Sequence, residues 1–427
     1  MQADVLLIGA GAAGLMAARE LSANGKKVIV LEARDHIGGR AYTVIETGFS
    51  QPIESGAEFI HGNLELTLHL LKEAHIKTNP AGGEAWRSKE GRLVQEDDFM
   101  TDADALMQAL KTQKEESSVD DFLTKHFNNE RYGDLKKSVR GYVEGYYAGE
   151  PNRASVLALK EEWEREDEPQ YRVQGGYIKL MQALYDNCIA NGVVFHFSAP
   201  VKSIAWAFEK VEATTINNSV FESKKIIITV PVSVLQNEQA AGFIQFQPQL
   251  TSQFEALKKL GYGGVIKILI EFKIAFWETD FNLKSLGFLF SDEAIPIWWT
   301  QHPVKSPLLV GWCAGPNTNA LKANTDTELF QEAIQSLAYI FNLPLVEIEN
   351  NVAAWKVYNW SAEPFTAGGY SYVTTTTKEA LHLLNQAVED TIYFAGEALY
   401  DDINVGTVEA ALQSGKQTAQ KLLASKK

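Results

Sequence analysis

Residues 3–40 read ADVLLIGAGAAGLMAARELSANGKKVIVLEARDHIGGR, and this stretch decides the fold. ADVLLI (3–8) is a short, almost continuously apolar run ending at Gly9, the pattern of a strand buried on both faces of a parallel sheet. The alanine-rich segment from Ala12 to Asn24 predicts a helix with Gly25 as its stop, and Lys27–Leu31 (KVIVL) repeats the buried-strand pattern. Strand, helix and strand within about 30 residues make a βαβ unit opening a doubly wound fold. Gly9, Gly11 and Gly14, with Ala13 among them, fall at the first strand-to-helix turn. Without Cβ atoms, the first allows the tight turn, the second lets backbone approach a pyrophosphate, and the third lets the helix pack closely on the strand. An anion there meets unsatisfied N–H groups at the positive end of the helix dipole. Glu32 ends the second strand 18 residues past Gly14, where a carboxylate can accept hydrogen bonds from a ribose hydroxyl. Glycines alone also serve a plain tight turn; joined to the strands, helix and acid they read as a dinucleotide site.

Ala33-Arg34 follow at once, then Ile37-Gly38-Gly39-Arg40. A nicotinamide site does not call for this second glycine pair. A flavin enzyme can use it to pass close to a diphosphate, with Arg40 neutralising the charge; the alternative for Arg40 is a surface salt bridge.

Working outward, 427 residues suggest two or three domains at roughly 150 residues each. Hydrophobic residues at 45% and charged residues at 22% indicate an ordinary globular chain rather than a disordered or fibrous one. The net charge of -15 argues against a nucleic-acid partner; it attracts cations or simply serves solubility. Cys188 and Cys313, the two cysteines, lack metal spacing and support neither a disulfide framework nor a metal site. A strand starting almost at Met1 leaves no room for a secretory leader, and no apolar run approaches the roughly 20 residues that span a bilayer. A soluble, cytoplasmic protein is expected.

Leu64–His75 has helical spacing, Trp86–Val94 reads as a hairpin around Glu90-Gly91, and residues 102–150 look mainly helical. Six acids between Glu161 and Pro169 either line an entrance for cations or form a solvated face. Tyr177–Asn191 predicts a helix, Val193–Phe197 a strand, and 201–230 a meander; 262–313 holds several aromatic-rich strand patterns, and Thr325–Phe341 an amphipathic helix. Thr391–Ala395 is again a buried strand, with a closing helix from about Gly406. Nucleotide-domain features at the start, middle and end predict an α/β chain, α+β overall. A Rossmann-like cofactor domain would comprise residues 1–75, 175–240 and 386–427, and a mixed-sheet substrate domain residues 76–174 and 241–385, helical over 100–174.

The runs GAGAAG (9–14), EARDHIGGR (32–40) and SGAEFIHG (Ser55–Gly62) resemble the start of the flavin-containing amine oxidases, the group of monoamine, polyamine and L-amino acid oxidases. The similarity continues in IIITVPVSVL (Ile226–Leu235), NWSAEPFTAGGYS (Asn359–Ser371), YFAGEA (Tyr393–Ala398) and GTVEAALQSG (Gly406–Gly415), nearly the whole chain in family order. The resemblance implies FAD held by Gly9, Gly11, Gly14, Glu32, Arg34 and Arg40, with Val201 meeting the adenine. Glu397 would bind near the ribityl chain and phosphates, or else cap the helix after it, and Val408 would contact the flavin ring. Implied contacts extend to Ala13, Ala33, Gly39, Gly56, Ala57, Glu58, Phe59, Val230, Trp360, Gly396 and Thr407.

Lys267 lies in GVIKILIEF, with Ile266, Ile268, Ile270 and Phe272 on a core face and Lys267 on the other. Spacing leaves Lys267 on solvent, snorkelling over the sheet, or lining a site, and favours solvent. The resemblance tilts it to the lysine that holds a water against flavin N5 and assists reaction with oxygen. Trp360, Phe365 and Tyr370 are dense enough to be core or a substrate cage. The resemblance makes Tyr370 one wall of an aromatic cage for an amine; Thr407 stands where monoamine oxidases place the second tyrosine. The catalytic candidates are therefore Lys267, Tyr370, Trp360 and Thr407, and the substrate contacts His61, Phe365 and Tyr370. His61 is either a substrate contact or a histidine with a satisfied structural bond. Gly369 occupies the position of the cysteine that tethers FAD in monoamine oxidases, implying non-covalent FAD. Phe59 replaces the arginine that L-amino acid oxidases use for the substrate carboxylate. The expected partners are an amine and molecular oxygen, with no metal; the chain either stands alone or pairs with a second copy of itself. A related flavin desaturase, an L-amino acid oxidase or a non-catalytic flavoprotein are the alternatives.

Overall fold

In the computed structural model, which describes residues 2–89, 91–95, 102–164, 168–402 and 404–425, the opening stretch folds as strand β1 (Gln2–Ile8), helix α1 (Ala12–Ala23) and strand β2 (Val28–Leu31). β1 and β2 pair in parallel, Val5 opposite Val28 through Ile8 opposite Leu31, and these apolar residues are buried. Gly14 lies where α1 crosses β1: a Cβ there would stand 2.0 Å from the Gly9 carbonyl oxygen. On its other side α1 meets the closing helix Val408–Ala424, where a Cβ at Gly415 would stand 2.2 Å from the Ala13 carbonyl oxygen. Bare backbone at both crossings lets α1 sit tightly between the sheet and the last helix.

That sheet runs Val194–His196, β2, β1, Val220–Ile228, Lys210–Thr215, Val201–Ala207 and Gln245–Gln247, with Ile392–Phe394 also pairing in parallel to Val220–Ile228. Strands from the start, middle and end of the chain thus share one Rossmann-like sheet, as the sequence predicts. The expected meander over 201–230 is its antiparallel half.

A second, mixed sheet orders Val352–Asn359, Val265–Phe272, Leu308–Ala314, Ile297–Trp299, Leu286–Phe290, Glu84–Lys89 and Arg92–Gln95. The last two strands are the predicted hairpin; Glu90 at its tip is outside the described residues. Asp326–Ile340 buries its apolar face on this sheet, and Thr325 and Glu328 close its start with a reciprocal capping box. The region predicted to be helical contains Ala103–Thr112, Val119–His126 and Gly133–Gly145, which surround their own apolar cluster.

A small sheet of Phe59–His61, Gln170–Val173 and Thr78–Ala81 sets Phe59 opposite Arg172 and His61 opposite Gln170. The helix after it, Glu65–Glu73, starts without a side-chain cap of its own. Buried Glu409, from the closing helix, supplies one by accepting the Leu66 N–H (3.0 Å), the Thr67 N–H (2.7 Å) and the Thr67 hydroxyl (2.7 Å). Among the described residues no helix is long and apolar enough to cross a membrane, and no cluster of His, Cys, Asp and Glu could hold a metal ion.

Gly415→Val forces a branched side chain into the Ala13 backbone and is expected to lower stability by about 2–3 kcal/mol in a denaturant titration. A loss below about 0.5 kcal/mol would show that the two helices are free to separate.

Candidate cofactor and active site

The parallel strands end on one side, and there a cavity of about 2410 Å³ begins, well above the roughly 300–1,000 Å³ usual for a single small ligand. It is lined by the glycine turns and Glu32 at one end and by Tyr370, Trp312 and His61 at the other. Every site residue named from the sequence lines it except Gly14, buried in the α1 crossing, and Lys267.

At the first end the two glycine turns touch. Gly9 (φ 108°) carries the chain into α1, Gly11 bridges to Gly38, and the Gly38 N–H donates to the Ala10 carbonyl at 2.9 Å. The N-cap of α1 is Gly11, with no side chain to satisfy the first-turn N–H groups, so these remain available for an anion. Glu32 stitches the turn together, accepting the Ala10 N–H (2.6 Å) on one oxygen and the Arg34 N–H (2.9 Å) on the other. A carboxylate retains lone pairs beyond these two bonds. Val201 and Val230 line the same end. Open space faces the Cα of Gly396, whose N–H is held by the Ser414 hydroxyl at 3.1 Å. A bare cradle, free helix N–H groups and a strand-end acid fit a dinucleotide.

Both arginines are already paired. Arg34 bonds the Thr366 hydroxyl (2.6 Å) and the Glu363 carboxylate (2.7 Å) and lies 5.3 Å over the Trp360 ring. Trp360 donates its indole N–H to the Ser55 carbonyl at 2.8 Å. Arg40 donates to Tyr262 (2.8 Å), the Gly369 carbonyl (2.7 Å) and Glu397 (2.8 Å). Burial works against its charge, yet Tyr262 and Glu397 raise it above the usual guanidinium range. Glu397 gives its second oxygen to the Ser371 hydroxyl and leaves the next helical turn uncapped, so the capping alternative does not apply. Arg40 is likewise no surface salt bridge, because Glu397 is buried. Thr407 caps the closing helix by accepting the Ala410 N–H at 3.1 Å.

At the other end, Tyr370 donates its hydroxyl to the Tyr146 carbonyl (2.5 Å), and Trp312 donates its indole N–H to the Gly145 carbonyl (3.0 Å). Two consecutive carbonyls at the end of helix Gly133–Gly145 thus fix two rings whose planes differ by 21° with centroids 6.3 Å apart. Burial pushes the Tyr370 phenol well above its ordinary range, so it stays a neutral donor. His61 faces this wall, 5.7 Å from the Tyr146 ring, and its Nδ1 has no hydrogen-bond partner. Burial lowers its pKa to about 4. Phe365 is not with them: it sits beside Gly242 and Val234, next to Thr366, the partner of Arg34, at the nucleotide end. Of the acidic segment, Glu162 and Glu168 line the cavity, Glu161 and Glu164 are exposed, and residues 165–167 lie outside the described residues.

The solvent position favoured for Lys267 by alternation is overturned. Its strand, Val265–Phe272, runs between Leu308–Ala314 and Val352–Asn359 and is buried at every position, and Lys267 itself is 0% exposed. Its Nζ donates to the Gly56 carbonyl (3.1 Å) and to Glu58 (2.9 Å), two residues that line the cavity. Burial would raise Glu58, but Lys267 and Arg172 hold it down at about 2. Sequence reasoning missed Tyr146, Trp312 and Arg172. Their signals are pairwise and long-range, with no local motif.

A family model described as flavin containing amine oxidoreductase matches residues 12–423. Lysine-specific histone demethylase 2 of Homo sapiens is 27% identical over 99% of this chain and 53% of its own length. Polyamine oxidase 4 of Oryza sativa subsp. japonica is 26% identical over 96% of this chain and 87% of its own length. The chain spans from 30% to 57% of the demethylase relatives it matches. A structure of wild-type putrescine oxidase bound to putrescine superposes with a TM-score of 0.80 at 21% identity, covering 99% of each chain, which is a likeness of fold.

Because His61 is held neutral, the unfolded chain binds a proton below its ordinary value near 6.5 while the folded chain does not until about 4. Stability present at pH 7 is therefore lost as pH falls from 6.5 toward 4, by about 2 kcal/mol between pH 7 and pH 5. His61→Gln should remove that part of the pH dependence in urea titrations; an unchanged slope would show that His61 is free to protonate when folded.

Proposed function

The chain belongs to the flavin containing amine oxidoreductases, and from that premise we propose that it is an amine oxidase working on non-covalently held FAD. One observation carries the reading: a single cavity joins the dinucleotide cradle to the aromatic wall of Tyr370 and Trp312. We assign the cradle to residues 1–75, 175–240 and 386–427, together with the strand Gln245–Gln247 that pairs in its sheet, and the rest of 76–174 and 241–385 to the substrate side.

The first-turn N–H groups of α1 and the bare turns at Gly11 and Gly38-Gly39 would hold the diphosphate, Glu32 the ribose, and the start of the closing helix at Thr407 and Val408 the ring. Bound FAD would accept a hydride from the carbon next to the amine nitrogen and pass those two electrons, with two protons, to oxygen as hydrogen peroxide. The imine left on the substrate takes up water and splits into a carbonyl compound and free amine. Non-covalent binding is supported by Gly369, where a Cβ would stand 2.2 Å from Val265 Cγ2, leaving no space for a tethering cysteine. Burial pushes the Cys188 and Cys313 thiols up to about 12, and neither lines the cavity.

The protein's part is orientation and electrostatics. Tyr370 and Trp312, fixed by the Gly145 and Tyr146 carbonyls, offer π surfaces to an alkylamine and exclude water around its α-carbon. Neutral His61 can hydrogen-bond the substrate without adding charge. No general acid or base is required of the chain. Lys267 sets a positive charge behind the wall at Gly56, which favours the negative charge that builds as oxygen takes up electrons.

A peroxide-coupled screen against monoamines, diamines and polyamines should find turnover; a flavin-loaded protein inert to every amine would refute the reading. Tyr370→Ala should cut kcat/KM about tenfold or more while the protein stays yellow, and normal turnover would make Tyr370 packing only. Lys267→Met should slow reoxidation by oxygen more than it weakens FAD binding, as read by stopped-flow absorbance.

A further inference from the structure

Behind the cavity wall lies a charge cluster that the reading above uses only through Lys267. Glu58 Oε2 accepts from Lys267 Nζ (2.9 Å), and Oε1 accepts from Arg172 Nε (2.9 Å), Trp299 Nε1 (3.0 Å) and Gln301 Nε2 (3.3 Å). Arg172 is anchored in turn, donating to the carbonyls of Thr300 (2.9 Å) and His302 (3.3 Å) with its guanidinium 4.6 Å from the Phe59 ring centroid. Donors from three separate stretches of chain converge on one carboxylate. Glu54, from the short strand Ile53–Glu54 that pairs with Thr43–Val44, is a further carboxyl facing the cluster; burial raises it to about 7, and it accepts from the Thr43 hydroxyl and the Tyr177 N–H.

A buried ammonium costs several kcal/mol unless it is paired. A lysine amine also rotates freely, so one mobile partner would not fix it. Here the partner is immobile, because Arg172, Trp299 and Gln301 hold Glu58 from its other oxygen, and the Gly56 carbonyl takes a second N–H of Lys267 at 3.1 Å. Two cations against one carboxylate leave a net positive charge, which Glu54 offsets only as it ionises above about pH 7. Glu58 and Gly56 line the cavity and Lys267 does not, so that charge is presented through the wall.

We propose that Glu58 is a positioning residue for the oxygen step: anchored by Arg172, Trp299 and Gln301, it holds the protonated Lys267 amine against Gly56 and so fixes a net positive charge behind the cavity wall. The proposal rests on the amine-oxidase reading and on the part given there to Lys267. Without the carboxylate, Lys267 loses its ion pair and keeps only the Gly56 carbonyl as acceptor, with Arg172 repelling it and Glu54 facing it, so the amine is no longer fixed against Gly56.

The test compares the flavoprotein with Glu58→Gln, Lys267→Met and the double variant. In stopped-flow half-reactions, each single change should slow reoxidation by oxygen at least about tenfold more than it slows reduction by amine, and the double variant should be no slower than either. In thermal unfolding, which needs no turnover, the double variant should lose less than the sum of the singles. Should Glu58→Gln fail to fold, Glu58→Asp keeps the charge but draws it back by one methylene and should give the same selective loss. A slow Lys267→Met beside a wild-type Glu58→Gln overturns the positioning role alone. Slowings that multiply in the double variant overturn it too, and wild-type oxygen rates in both singles overturn the reading of Lys267 itself.

Discussion

Helix α1 crosses β1 so closely that a Cβ at Gly14 would stand 2.0 Å from the Gly9 carbonyl oxygen, and the rest of the site follows from that contact. It brings the helix start to the ends of the parallel strands with Gly11 at its cap and sets Gly38 and Gly39 against it. The closing helix can then press Gly415 on Ala13 from the other side, which carries Thr407 and Val408 to the same cavity and lets Glu409 cap the helix beyond the SGAEFIHG segment. A side chain at either crossing would push α1 outward and pull these groups apart.

The cavity is held by charges paired across the chain. Arg34 meets Glu363, Arg40 meets Glu397, and Lys267 and Arg172 share Glu58. In each case the partners are far apart in sequence, and the acids beside Arg40 and Lys267 are buried. Taking one member of such a set away leaves an uncompensated charge out of water, so these pairs fix where the two sheets meet rather than merely adding attraction. The aromatic wall is fixed in another way: the end of helix Gly133–Gly145 offers two backbone carbonyls, and Trp312 and Tyr370 each spend their one polar hydrogen on them.

What the sequence disclosed is what short-range patterns encode. The βαβ unit, the strand-end acid, the hairpin and the amphipathic helix from Thr325 are each contained within a few dozen residues, and their spacing carries the physical signal. The resemblance added the late segments and brought nearly all named residues to one cavity. Alternation put Lys267 on solvent, where the resemblance put it at the site, because alternation tells which face a residue takes and not whether the second face is covered; here Gly56 and Glu58, over two hundred residues earlier, cover it. Trp312 and Tyr146 escaped because a tryptophan in a strand and a tyrosine past a helix end look like packing until the fold sets them beside Tyr370. Phe365 was grouped with Tyr370 by proximity in sequence, but the glycines between them turn the chain, and the two rings serve opposite ends of the cavity.

The measurement that tests the account most directly is the identity of whatever the purified protein releases on unfolding. Stoichiometric FAD set free by denaturant without proteolysis, recognised by its mass and absorption, is the result this account predicts. A colourless protein that also takes up no FAD when the cofactor is supplied would contradict it.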